Sequence, residues 1–149
     1  MIVVGIDHSE GAKAALRFAL GEAGLRKTTL RLVHAWQLGY VAAGFLAAPY
    51  PAAGEDIDDL RDAAEKSLEA TLREVAPTSL HVDLELHAAE GAPAEVLVDE
   101  SHDAELLVIG SRGLGGFAGL LLGSVSQQCA HHAGCPVVIV PTPSETSDD

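Results

Sequence analysis

The chain has 149 residues, of which 9 are basic and 22 are acidic, so its formal net charge is −13. This length suits one domain, and the negative charge disfavours nucleic acid and anionic membrane surfaces as partners because like charges repel over long range. The first predicted strand follows Met1 without a basic leader or an apolar run of about 18 residues, and we therefore expect a cytoplasmic protein.

Apolar runs of strand length alternate with segments of helical periodicity along the chain. Residues 2–6 are apolar and mostly β-branched, which is typical of a central parallel strand covered on both faces. Either Ser9 or Asp7 can cap the helix that follows. We expect this helix to stop at Gly21 or Gly24, since glycine commonly ends a helix.

The middle of the chain contains a long segment without clear periodicity. A strand over residues 29–36 precedes it, and a helix over residues 55–75 follows it. Residues 37–54 themselves are rich in Gly, Ala and Pro. A connection of this length is uncommon unless it has a task or is disordered, and both interpretations stay open here.

The second half of the chain again alternates between strands and helices. Residues 80–88 alternate between apolar and polar side chains, which favours a strand with one exposed face at the edge of a sheet. Residues 142–149 are polar and acidic, and we expect them to form a disordered tail. The remaining predicted elements are a helix over 93–101, a strand over 106–109, a helix over 124–133 and a strand over 136–140.

Regular alternation of strands and helices predicts an α/β fold. Right-handed crossovers between parallel strands place helices on both faces of the sheet, which gives a doubly wound three-layer sandwich. The predicted strands can be wound in several orders, and their sequences do not choose among them.

A glycine-rich motif lies between the fourth strand and the last helix. The strand at 106–109 runs into Gly110-Ser111-Arg112-Gly113, and Gly123-Ser124 then precedes the helix. Glycine lets main-chain N–H groups approach a ligand closely, and the first N–H groups of a helix have no partner within it. A strand, a glycine loop and a helix N-terminus in this order predict a phosphate-binding cradle.

Two other glycine motifs are excluded for this loop. Residues 113–118 match Gly-x-Gly-x-x-Ala, but that dinucleotide pattern follows a first strand and requires a carboxylate about 20 residues further on. His131 and His132 lie at that distance instead. No lysine precedes Ser124, which excludes a Walker loop. A flexible or partner-binding loop that holds no ligand stays open as an interpretation.

The spacing Gly110-x2-Gly113-x9-Gly123-Ser124 resembles the nucleotide-binding signature of the universal stress protein family. Further landmarks similar to those of the family occur in order at residues 2–9, 90–93 and 135–141. The resemblance implies one universal stress protein domain over residues 1–141, with the Rossmann-like fold of the adenine nucleotide alpha hydrolases. It also implies the strand order 3-2-1-4-5, in which strands one and four open a crevice at their carboxyl ends.

The resemblance implies that this crevice binds ATP. Asp7 would contact the ribose, although a helix cap also explains this residue. The main chain near Val33 would contact the adenine edge, and Tyr40, Phe45 or Tyr50 of the long loop could stack on the base or pack in the core instead. The implied site residues are Asp7, Val33, Gly110, Ser111, Arg112, Gly113, Gly123, Ser124, Val125 and Ser126.

Charge predicts a divalent cation at the same place. Arg112 is the only basic side chain of the glycine loop, and one cation cannot balance a nucleoside triphosphate in a protein of net charge −13. We therefore expect Mg²⁺ or Mn²⁺ to accompany the ligand. The histidines, Cys129 and Cys135 show no spacing typical of a protein metal site or a catalytic centre.

The leading hypothesis is a cytoplasmic stress-response module that holds ATP. The alternatives are a slow ATPase or phosphotransferase, and a dimeric interaction scaffold that binds no nucleotide. The apolar strand Val137, Val138, Ile139 and Val140 would expose unpaired main-chain groups at a sheet edge, which favours a homodimer, as the resemblance also does. Coverage of this edge by the chain's own loop or tail stays open.

Overall fold

The computed structural model describes residues 1–37, 57–76, 81–114, 119 and 121–142. The predicted loop and tail lie outside these ranges, apart from residues 37 and 142. Within these ranges, no helix has both the length and the apolar content that crossing a membrane requires. The elements are β1 (Ile2–Gly5), α1 (Glu10–Arg26), β2 (Leu30–Trp36), α2 (Ile57–Val75), β3 (Leu84–Glu90), α3 (Pro93–Ser101), β4 (Leu106–Gly110), α4 (Ser124–His132) and β5 (Val137–Val140).

The strands form one parallel sheet in the order β3-β2-β1-β4-β5. This confirms the predicted α/β fold and the strand order that the resemblance implied. α1 and α2 pack on one face of the sheet, and α3 and α4 pack on the other. Because parallel strands align their carboxyl ends, the segments that follow β1 and β4 leave the sheet at the same edge.

β1 lies at the centre of the core. Ile2, Val3 and Val4 are fully buried, and their side chains alternate between the two faces of the sheet. Ile2 and Val4 lie in the cluster beneath α1 and α2, whereas Val3 lies in the cluster beneath α3 and α4. Burial of each such side chain stabilises the fold by about 1.5–3 kcal/mol, so β1 anchors both helical layers.

α1 continues through both glycines at which its sequence predicts an end. It begins after Ser9, whose Oγ accepts a main-chain hydrogen bond at 3.1 Å, and it ends at Arg26, where Lys27 adopts the left-handed conformation. A glycine inside a helix costs about 1 kcal/mol relative to alanine. One face of α1 is lined by alanines buried against the sheet, and this packing outweighs the cost at Gly21 and Gly24.

β3 begins later than its alternating pattern predicts. Residues 81–83 precede the strand, which starts at Leu84 because its partner β2 starts at Leu30 and these two residues pair. Residues before Leu84 have no strand beside them with which to form a ladder. β3 occupies an edge of the sheet, as predicted. The start of α2 was predicted in a part of the chain that the structure does not describe. β3 ends at Glu90, two residues later than predicted, and apart from the end of α1 the remaining bounds differ from the predictions by at most one residue.

Alanine at Gly21 or Gly24 is expected to stabilise the protein by about 0.5–1 kcal/mol, because it removes a glycine from a helix interior without a clash. A Cβ at Gly21 meets no described atom within 4 Å, and one at Gly24 reaches Val82 Cγ2 at 3.8 Å. Urea unfolding measures the change. Gly11→Ala is the matched control in α1, and it should destabilise because its Cβ would lie 2.7 Å from the Arg112 carbonyl oxygen. Destabilisation by alanine at both Gly21 and Gly24 would contradict this account of α1.

Candidate functional site

The turn after β1 and the loop after β4 meet at the carboxyl edge of the sheet. β1 and β4 are paired neighbours, and Asp7 Oδ2 accepts a hydrogen bond from the main-chain N–H of Leu114 at 3.1 Å. The structure therefore brings Asp7 and the start of the glycine loop into direct contact.

Each carboxylate oxygen of Asp7 accepts at least one hydrogen bond. Its Oδ1 accepts from the N–H of Ser9 at 3.1 Å and from the Ser9 hydroxyl at 2.5 Å, while Oδ2 accepts from Leu114. Ser9 is the N-cap residue of α1, so the alternative assignment of Asp7 as the cap is wrong. A carboxylate can accept further hydrogen bonds, and Asp7 can therefore still receive a ligand hydroxyl.

Gly113 and Gly110 are positions where a side chain does not fit. A Cβ at Gly113 would overlap Asp7 Oδ2, and one at Gly110 would lie 2.7 Å from the main chain of Gly11. These glycines let the loop approach the turn after β1 and the first turn of α1. Gly123 differs, because its Cβ would come no closer than 3.6 Å, to Arg112 Cα.

The first turn of α4 presents main-chain N–H groups without a side-chain cap. Gly123 is the N-cap residue, and its carbonyl accepts the N–H of Gln127 at 3.0 Å. Among the residues that the structure describes, the N–H groups of Ser124, Val125 and Ser126 have no hydrogen-bond acceptor. Such groups stand at the positive end of the helix dipole and attract an anion.

Two hydrogen-bond donors of the implied site residues bond to other groups of the protein. The Ser126 hydroxyl donates to the carbonyl oxygens of Gly110 at 2.8 Å and Ser111 at 3.1 Å, and Ser126 is only 4 % exposed. The N–H of Gly123 donates to the Ser111 carbonyl oxygen at 2.8 Å. These bonds tie the start of α4 to the end of β4 and thereby shape the cradle.

Ser111 and Val33 belong to the sheet and its connections. The Ser111 N–H donates to the Val140 carbonyl oxygen at 2.8 Å, which joins the glycine loop to β5. Val33 is 1 % exposed, and its carbonyl oxygen accepts the N–H of Ile6 at 2.8 Å. The Val33 carbonyl therefore contributes to the pairing of β1 with β2, while its side chain packs in the core beneath α3 and α4.

A cavity of about 390 Å³ lies beside the turn after β1. It is lined by His8 and Ser9, the first turn of α1, residues 112–114 and Thr142. Of the predicted site residues, Arg112 and Gly113 line this cavity, whereas Val33 and the residues of α4 do not. The predicted site therefore extends beyond this cavity, towards β2 and α4.

His8 and His34 lie beside Asp7, although their sequence positions did not single them out. Their ring centroids are 4.8 Å apart, and the His8 ring bonds to Ser67 and Thr71 of α2. Burial lowers the pKa of His8, and the neighbouring His34 lowers it further. The spacing of Ser67 and Thr71 in the sequence places two hydroxyl groups one helical turn apart on the same side of α2, but it does not identify His8 as their partner.

Comparison with known proteins relates the whole described fold to one family. A model of the Universal stress protein family matches residues 1–141. The universal stress protein Rv2623 of Mycobacterium tuberculosis is 42% identical over 147 residues, which cover 93% of this chain and 46% of that protein. The chain thus spans about half the length of the curated relatives it matches.

Two of the similar solved structures contain a nucleotide. A universal stress protein in complex with cAMP is 30% identical, with a TM-score of 0.67 over 95% of this chain and 97% of that one. The universal stress protein of Archaeoglobus fulgidus in complex with dAMP is 25% identical, with a TM-score of 0.64 over 93% of this chain and 95% of that one.

Alanine should be tolerated very differently at Gly110 and Gly123. We expect Gly110→Ala to lower the free energy of unfolding by about 1–3 kcal/mol, because its Cβ meets the main chain of Gly11, which cannot move aside cheaply. Gly123→Ala has room and should change stability by no more than about 0.5 kcal/mol. Chemical denaturation compares the two variants. Equal stability of both variants would show that close approach at Gly110 is not required.

Proposed function

The chain belongs to the universal stress protein family, and on that premise we propose that it binds an adenine nucleotide at the carboxyl ends of β1 and β4. The ligand is ATP with Mg²⁺ or Mn²⁺, and its occupancy makes the protein a nucleotide-dependent stress-response module in the cytoplasm. The contact between Asp7 and the glycine loop carries the proposal. It places an acceptor suited to a sugar hydroxyl beside a segment rich in main-chain donors.

In this proposal the phosphates lie against the first turn of α4. The uncapped N–H groups of Ser124 and Val125 supply donors there, and the exposed side chain of Ser124 adds a hydroxyl. Hydrogen bonds to a charged acceptor are roughly twice as strong as those between neutral groups. A phosphate is therefore the ligand group that this helix start favours most.

The choice of adenine as the base is supported by the similar structures and not by the phosphate cradle, because contacts to a phosphate do not distinguish one base from another. The two similar structures described above hold cAMP and dAMP. Both ligands combine adenine with a phosphate ester. We place the base beside β2, near the main chain that follows Val33, and the sugar at Asp7.

The divalent ion follows from charge and from the available ligands. The protein carries a net charge of −13, and Asp7 itself adds a carboxylate to the crevice. In the described part of the chain, no group of three or more His, Cys, Asp and Glu side chains could hold a metal ion. Mg²⁺ at nucleotide sites is bound largely by phosphates and water, so the phosphates would supply most of its ligands.

ATP with Mg²⁺ is expected to raise the melting temperature, and both Gly123→Val and Asp7→Ala should weaken binding at least about tenfold, or about 1.4 kcal/mol. Valine at the N-cap crowds the phosphates, and alanine removes the sugar acceptor. Calorimetric titration measures the dissociation constants, with Gly21→Ala as a folded control of unchanged affinity. Undiminished affinity in both site variants would disprove the proposed site, and equal affinity for GTP would disprove the choice of adenine.

β5 is the last strand of the sheet, and no other described strand lies on its outer side. We infer that a second copy of the chain covers this apolar edge. β5 pairs with β4 at the end of the sheet, and its four side chains are all partly buried. The carbonyl oxygens of Pro136 and Val140 bond towards β4, so the polar main-chain groups of Val137 and Ile139 point to the open side. Antiparallel pairing with the β5 of a second copy would satisfy these groups.

Sedimentation at micromolar concentration is therefore expected to give twice the chain mass of 15.4 kDa. Ile139→Pro removes an outward N–H while leaving the bonds of Pro136 and Val140 to β4 in place, and it should shift the mass to the monomer. Circular dichroism tests whether this variant keeps its helices. A monomeric wild-type protein would contradict the dimer.

A further inference from the structure

We propose that His8 is a positioning residue of the nucleotide site: through its ring, α2 holds the turn that aims the Asp7 carboxylate at the glycine loop. This inference rests on the proposed function, because it concerns the residue to which the ribose contact is assigned. His8 itself is not placed in contact with the ligand.

The backbone at His8 has an unfavourable conformation. Its φ is 66°, in the left-handed region, and among the non-glycine residues that the structure describes Lys27 alone shares a positive φ. Lys27 lies at the end of α1, where this conformation is common. A left-handed residue that is not glycine costs on the order of 1–3 kcal/mol, so contacts elsewhere must hold His8 in place.

Those contacts come from α2. His8 Nδ1 lies 2.8 Å from Thr71 Oγ1, and His8 Nε2 lies 2.9 Å from Ser67 Oγ. Ser67 and Thr71 are separated by one helical turn and therefore present their hydroxyl groups on the same side of α2. Thr71 is 4 % exposed, so solvent competes little for its hydroxyl. Both nitrogens of the His8 ring are thus bound to a single rigid element.

The hydrogen bonds assign the tautomer of His8. The Thr71 hydroxyl donates its proton to the Ser67 carbonyl oxygen at 3.1 Å, so its oxygen accepts from His8 Nδ1. Nε2 of the neutral ring then accepts from the Ser67 hydroxyl. Burial and His34 lower the pKa of His8, which favours this neutral form, and Asp7 opposes them.

Ile6, which precedes Asp7, is also held in place, by hydrogen bonds to β2. The Ile6 carbonyl oxygen accepts a hydrogen bond from His34 Nδ1 at 2.8 Å, and the Ile6 N–H donates to Val33. Asp7 therefore lies between Ile6, which is hydrogen-bonded to β2, and His8, which is hydrogen-bonded to α2. Between these two points, Asp7 Oδ1 closes the turn by accepting the N–H of Ser9, which leaves Oδ2 facing Leu114.

A double-mutant cycle between His8 and Asp7 tests the proposal, with calorimetric titration of ATP and Mg²⁺ as the readout. His8→Gly keeps the left-handed conformation accessible and removes only the ring, and it should raise the dissociation constant about three- to tenfold. In the Asp7→Ala background the same substitution should change the dissociation constant by less than about twofold. A merely structural role would weaken binding equally in both backgrounds.

The anchors on α2 provide a second, independent variant. Ser67→Ala combined with Thr71→Val removes both hydroxyl groups without touching the turn, and it should reproduce the loss of affinity caused by His8→Gly. Adding His8→Gly to this variant should weaken binding no further. Nitrogen-15 spectra of the histidine rings should show the His8 proton on Nδ1, and a proton on Nε2 would overturn the assigned network.

The outcomes separate this inference from the proposed function. If the wild-type protein binds ATP and Asp7→Ala weakens binding, but both His8→Gly and the α2 double variant bind ATP like wild type, the positioning role is wrong and the nucleotide site stands. If the wild-type protein binds no adenine nucleotide, both proposals fall.

Discussion

Parallel pairing of β1 with β4 is the constraint on which the candidate site depends. Ile2, Val3 and Val4 align with Leu106, Leu107 and Val108, so both strands end at the same edge of the sheet. The turn at Asp7 and the loop at Gly110 are thereby brought side by side although they are far apart in the chain. Missing Cβ atoms at Gly11 and Gly110 then allow the two main chains to approach closely.

The site also joins the two helical layers of the sandwich. On one face of the sheet, α2 holds the turn after β1 through His8. On the other face, Ser126 of α4 bonds the carbonyl oxygens of Gly110 and Ser111, where β4 ends. A ligand between Asp7 and the first turn of α4 would therefore contact parts of the chain fixed by both layers.

The sequence indicated which segments meet at the candidate site but not all of the contacts between them. The spacing of Gly110, Gly113 and Gly123 identified the loop, because glycine is required where main chains come close. The internal hydrogen bonds of Gly123 and Ser126 could not be predicted, since a residue type does not show whether its donor faces a ligand or a carbonyl oxygen. His8 was overlooked because its partners lie on α2, at a distance in the chain that no local pattern spans.

Local chemistry in the sequence determined the type of every element that the structure describes, since hydrophobic period, capping groups and glycines act on neighbouring residues. It determined the order of strands and helices in the same way, and hence the α/β class. Tertiary packing decided that α1 passes through Gly21 and Gly24, and pairing with β2 decided where β3 begins. It also decided how the Asp7 carboxylate is oriented, because the groups that hold it come from β2, α2 and the loop after β4. Such contacts arise only when the chain closes on itself.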